Sequence, residues 1–218
     1  SFRNLTPLAN LIADYGAFVV RADSGYETIN DVMEALKRNP KSVKIGGFSA
    51  EGSMDHIQFL IVARAAGVNN LSRIDYTSFS DDAAKQLLEG NVDLFSTSLA
   101  DTMGLVESGD LKVLAQTADR RIGTGLKGQI PTCKEQGVDV TFINWRGLFG
   151  APDMPEYAFN YWTNALAQMR NTQEWIEACA KYDWEEYYLN SYDFVRFLER
   201  TETEYKAILQ DINMLKQN

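Results

Sequence analysis

Histidine is nearly absent from this sequence: His56 is the only one in 218 residues. Any Ser–His–Asp triad or imidazole-bound metal therefore has to run through that one side chain. Ser53 and His56 stand three apart on one helical face, but Asp55 points off it, and no orienting partner is defined. Zinc asks for about four ligands, and no cluster of His, Cys, Asp or Glu supplies them. The two cysteines, Cys133 and Cys179, fit no metal-ligand spacing. They read as two buried free thiols, with a single disulfide as the alternative. No apolar run approaches the roughly 20 residues that span a bilayer. No secretory leader opens the sequence as given, so the N-terminus does not report the compartment. Walker and dinucleotide fingerprints are missing too. Positive charge is scarce, with 21 Lys and Arg against 30 Asp and Glu, a net charge of −9. That balance argues against a nucleic-acid partner or an anionic membrane held by bulk electrostatics. No catalytic residue, metal or cofactor is expected.

What is present is an ordinary globular composition, 45% hydrophobic and 23% charged, long enough for one large domain or two small lobes. Leu8–Val20 is apolar, with Asp14-Tyr15-Gly16 read as a break between two strands. Thr28 to Asp31 forms a capping box for a helix with Ile29, Val32, Met33 and Leu36 on its buried stripe, ended by Asn39-Pro40. Val43 and Ile45 lead through Gly46-Gly47 into a polar turn, and an amphipathic helix is expected from near Ser53 to a left-handed cap at Gly67. Strands at Ile74–Thr77 and Val92–Phe95 each run into a serine-bearing turn, Ser78 to Asp82 and Ser96 to Ser98, that opens a helix. Leu111–Ala115 is a further strand. The rhythm predicts an α/β sheet, mainly parallel or mixed, with helices on both faces. Ligands of such sheets sit beyond the carboxyl ends of the strands. Three serine-rich strand ends therefore converge on one expectation, since a helix N-terminus offers unpaired N–H groups and partial positive charge.

Beyond Pro131 the chain changes character. Val138–Phe149 is expected as a strand, followed by a long aromatic helix (Tyr157, Phe159, Tyr161, Trp162) and a helix capped by Thr172. The last helix starts at Ser191 and buries Phe194, Phe197, Leu198, Tyr205 and Ile208 at three- and four-residue steps. These aromatics read as core. Acid pairs such as Asp81-Asp82 and Glu185-Glu186 read as caps and solvated faces.

The ordered set of motifs is similar to a known family. LTPLANLI, then VKIGGFSAEGSMDH, then LEGNVD, SGDLKVLA, PTCKEQG and NWRGLFGAP resemble the substrate-binding receptors of tripartite tricarboxylate transporters, the Bug family, from about Leu5 to Ile212. The resemblance implies a periplasmic receptor of the type II periplasmic-binding-protein-like fold, with two lobes, mixed central sheets and a hinge. On that reading residues 1–19 are the first hinge segment of lobe 1, residues 20–141 form lobe 2, and residues 142–218 hold the return hinge strand and the C-terminal helical part of lobe 1. The family's receptors carry roughly a hundred residues ahead of this segment (the scale of a small domain), so the first lobe is expected to be incomplete, with self-association as a consequence. The implied ligand is a small di- or tricarboxylate, citrate-like in the first instance, handed to membrane subunits of the transporter. Amino-dicarboxylates and aromatic acids are alternatives, as is a sensor that presents its bound state to a signalling partner. Ser49, Gly52, Ser53, Ser80 and Ser98 are expected to donate to the ligand's carboxylates. Asp55 and His56 match the DH of tricarboxylate-type members. Trp145 and Arg146 lie in the returning strand, with Arg146 either contacting ligand or forming an ion pair between lobes. Ser80-Asp81-Asp82 departs from the glycines usual at that turn.

Overall fold

The computed structural model describes residues 2–182 and 184–215. The chain divides into two compact units: Ser1–Asp14 with Asn144–Glu204 (unit 1), and Tyr15–Ile143 with Tyr205–Asn218 (unit 2).

One strand, β1 (Thr6–Arg21), contributes to both. It runs unbroken through Asp14-Tyr15-Gly16, where a break was expected. Gly16 is paired with Ser98 in the sheet. A Cβ on Gly16 would lie 2.3 Å from Gln58 Oε1, so this glycine makes room for a packed side chain and does not turn the chain.

In unit 2 the elements continue with α1 (Ile29–Arg38), β2 (Ile45–Gly47), α2 (Met54–Ala65), β3 (Tyr76–Ser78), α3 (Ala83–Leu88), β4 (Leu94–Ser98), α4 (Thr102–Val106) and β5 (Leu111–Gln116). The sheet order is β3-β2-β4-β1-β5. Strand β2 is parallel to β3 and β4, while β1 is antiparallel to β4 and β5. Two-residue alternation sorts the sheet's side chains onto two faces. Phe18, Val20, Ile45 and Leu94 join Ile29, Val32, Met33, Leu36, Phe59 and Leu60 from α1 and α2. Val19, Phe95 and Leu111 join Ala83, Leu87 and Val92 around α3. The capping box of α1 is present, with Asp31 N–H on Thr28 Oγ1 and Thr28 N–H on the Asp31 carboxylate. At the end of α2, Gly67 N–H reaches Arg64 O and Val68 N–H reaches Ala63 O, a Schellman closure.

Helix α2 is not the amphipathic helix expected. His56 to Ala63 are all buried, because the last part of the chain covers the side the sheet does not. Ile208 belongs to the same core, with Tyr205, Leu209 and Ile212 against it, and Asp211 pairs with Arg64 at 3.6 Å. Strand β4 also extends further than expected, taking in Ser96 and Thr97 as buried residues. Gln58 Nε2 donates to Ser96 Oγ at 2.7 Å and to the Thr97 carbonyl at 2.9 Å, and the Ser96 hydroxyl donates to Asp55 O at 2.8 Å.

Unit 1 is built from the first half of β1 with β6 (Ile143–Gly150), α5 (Glu156–Met169), α6 (Gln173–Tyr182), β7 (Glu185–Asn190) and most of α7 (Ser191–Asp211). Strands β6 and β7 both pair with β1. The acidic pair Glu185-Glu186 opens β7, and Glu186 meets Arg170 at 2.9 Å. Phe194, Phe197 and Leu198 are buried as their spacing predicts. The aromatics of α5 are not: Leu166 is its buried residue, and Tyr157 is 80% exposed. Cys133 is buried and Cys179 half-buried, and both are free thiols.

Candidate functional site

Strands β3, β2 and β4 are neighbours and parallel, so their carboxyl ends lie along one edge of the unit 2 sheet. Three turns follow these strand ends, and those after β2 and β3 are tied together. Phe79 N–H donates to Gly47 O at 2.9 Å, and Tyr76 Oη donates to Ser49 O at 2.7 Å.

The β2–α2 turn is held by its own acid. The Asp55 carboxylate accepts from Phe48 N–H at 2.9 Å and Ser49 N–H at 2.8 Å, while Ser49 Oγ accepts from Asp55 N–H at 2.7 Å. This is a reciprocal cap, and it places a carboxylate where a helix N-terminus would otherwise receive an external anion. Burial pushes the Asp55 carboxyl above its usual range against the pull of these N–H bonds, and the Asp101 charge pushes the same way. The space above Gly47 and Gly52 is filled by protein. A Cβ on Gly47 would lie 2.3 Å from Tyr76 Oη, and one on Gly52 (φ +75°) would lie 2.9 Å from Met214.

His56 is 3% exposed and stacks on Tyr76 with ring centres 4.3 Å apart. Its Nδ1 accepts from Gly52 N–H at 2.9 Å, so in the neutral ring the proton sits on Nε2, which has no hydrogen-bond partner. Burial drives this imidazole down to about 4, and at neutral pH it is an uncharged donor. Burial likewise raises the Tyr76 phenol to about 12, with Asp55 and Glu51 adding to the rise.

The other sequence candidates fall into two groups. Ser53 is the N-cap residue of α2, but its side chain makes no capping bond. Ser80 is exposed, and the following Asp82 caps α3 through Lys85 N–H at 3.0 Å. Ser98 Oγ donates to Asp101 Oδ2 at 2.6 Å. With Ser49, Gly52, Asp55 and His56 these residues share the sheet edge of unit 2. Trp145 and Arg146 belong to unit 1. Trp145 packs among Phe149, Phe194 and Phe197, and Arg146 Nη1 donates to Asn144 Oδ1 and Trp145 O.

A mixed sheet with helices on both faces and serine-bearing strand ends has the form of a periplasmic binding lobe, and residues 1–214 match the tripartite tricarboxylate transporter family receptor, TctC. The chain belongs to this receptor family. A UPF0065 protein from Cupriavidus necator is 28% identical over 219 residues, which is 98% of this chain and 64% of that protein. A TctC solute-binding protein from Polaromonas, solved without ligand, is 25% identical with a TM-score of 0.73, over 99% of this chain and 71% of that one. An R. palustris protein solved with adipate shares the fold at 18% identity and a TM-score of 0.72, over 96% of this chain and 69% of that one. The chain thus spans about two thirds of the length of its relatives. Members of the TctC family are solute-binding receptors and not enzymes. They are periplasmic, and no helix among the described residues is long and apolar enough to cross a membrane.

Three further side chains of this TctC chain build the edge. Tyr76 fills the space over Gly47 and carries His56. Gln58 links α2 to β4 and was detectable as the lone polar residue in the run Ile57 to Ala63. Asp101 holds Ser98, three residues before it on the next turn, a spacing that signals a local cap.

Proposed function

We propose that this chain is the solute-capturing part of a periplasmic receptor that takes up a small organic acid and passes it to membrane subunits of a tripartite tricarboxylate-type transporter. The observation that carries the reading is the single edge on which β3, β2 and β4 deliver Ser49, Ser80 and Ser98 on adjacent turns. Hydroxyls and turn N–H groups there bind a polar ligand without catalysis, directly or through water. The adipate held by the R. palustris relative supports a small carboxylic acid, with a citrate-like acid as the first candidate. Among the described residues no group of three metal-binding side chains offers an alternative cargo.

The test is an amide chemical-shift titration with millimolar citrate, malate, adipate, glutamate and aspartate, which detects weak binding. At least one acid should move the amides of residues 48–53, 79–82 and 98–101 in a saturable way. Ser80→Ala should weaken that acid about tenfold or more, the worth of one hydrogen bond to a charged group. Unchanged spectra with all five acids would remove the reading.

A further inference from the structure

The opposite edge of the unit 2 sheet holds a cleft that the receptor reading does not use. Arg21, at the end of β1, pairs there with Leu111 at the start of β5, and Val20 pairs with Leu94 at the start of β4. The cleft has a volume of about 230 Å³, and Arg21, Ser24, Tyr26, Leu87, Val92 and Asp93 line it. A cavity of roughly 150 Å³ admits a benzene ring, so this one has room for on the order of ten non-hydrogen atoms.

Its chemistry is balanced. Leu87 and Val92 are buried and supply the apolar part. The Ser24 hydroxyl is buried without a hydrogen-bond partner, so both its donor and its acceptor capacity are unused. Burial lifts the Tyr26 phenol above its ordinary range, with the Asp93 charge adding to the rise, and at neutral pH it is a protonated hydroxyl. Arg21 and Asp93 bring opposite charges, and each is already held. The guanidinium meets Asp23 at 2.9 Å, and Asp93 Oδ2 accepts from Lys44 N–H at 2.8 Å. A net anion entering here meets the charge of Asp93, and a net cation meets that of Arg21. A neutral molecule bearing several hydroxyls suits all four polar groups. It accepts from Arg21, donates to Asp93, and exchanges hydrogen bonds with Ser24 and Tyr26.

We propose that this cleft is a second binding site of unit 2, and that it takes a neutral polyhydroxylated molecule of monosaccharide size. It lies at the other end of the sheet from the serine-bearing turns, so it stands or falls apart from the organic-acid reading.

The test is an amide chemical-shift titration with millimolar D-glucose, D-galactose, D-ribose and myo-inositol, with acetate and glycine betaine as ionic controls. At least one of the four should move the amides of residues 22–26 and 87–93 in a saturable way and leave those of residues 48–53 and 98–101 in place. Ser24→Ala should weaken that compound about fivefold, the worth of one neutral hydrogen bond. Its urea midpoint should not fall, because the hydroxyl has no partner to lose. Tyr26→Phe should weaken the same compound by a similar factor. Silence from all four compounds would overturn the inference. So would acetate or betaine binding as tightly as the best of them, or an affinity unchanged in Ser24→Ala. The organic-acid titration reads other amides and is untouched by any of these results.

Discussion

His56 shows how one residue ties a turn, a helix and a strand together. Its Nδ1 holds Gly52 N–H, its ring lies on Tyr76, and Tyr76 Oη holds Ser49 O. The protonated imidazole has no place in this packing, so the folded state refuses a proton that the unfolded chain accepts below pH 6.5. The folded value near 4 means that this stabilisation is complete above about pH 6.5 and is lost as pH falls toward 4. The contribution is at most roughly 3 kcal/mol. Urea midpoints measured from pH 7 to pH 4.5 should fall accordingly, and His56→Gln should flatten the slope. A slope unchanged in that variant would assign the pH effect to the carboxylates. Helical spacing carried no sign of the bonds that Asp55 makes to the turn before it. Asp55 read as an off-face residue because helical spacing says nothing of the loop six residues back that folds onto it.

At the scale of elements, local chemistry was readable and length was not. The capping box at Thr28 and Asp31, the left-handed closure at Gly67 and the Thr172 cap all involve residues within five positions of each other, and all three are present. Thr28→Ala should cost about 1 kcal/mol, visible as a lower urea midpoint with unchanged slope. The misses have one cause in common, a partner distant in sequence. Gly16 reads as a turn until Gln58 is packed over it, and Ser96 and Thr97 read as a turn until Gln58 satisfies them. β7 begins with two glutamates and lacks clear alternation, so only its pairing with β1 makes it a strand.

At the scale of the whole molecule, unit 2 has a deep core and unit 1 a thin one. In unit 1, Leu8, Ala9 and Leu166 form a small buried cluster, whereas Tyr157, Tyr161, Trp162, Ile176, Tyr182 and Tyr192 are exposed. Exposed aromatics such as the Tyr161–Trp162 pair, with ring centres 5.5 Å apart, favour association. Sedimentation velocity should show mass rising with concentration, and Tyr161→Ser with Trp162→Ser should reduce it. A chain that stays monomeric up to its solubility limit would show that this face is tolerated in water.

The amino-acid sequence alone determined the alternating β-α order of unit 2, the helix caps and the serine-bearing ends of its strands. These follow from periodicities and contacts a few residues long, which the order of side chains encodes directly, while the family showed in the sequence as a resemblance carried by the ordered motifs. The tertiary structure decided which donors at that edge remain free. Asp55 could reach the Phe48 and Ser49 amides only once its turn had closed, whereas Asp101 holds the Ser98 hydroxyl across three residues. An edge that reads as a ready receptor for anions thereby carries its own negative charge, because a bound internal carboxylate neutralises the N–H groups that made it look positive.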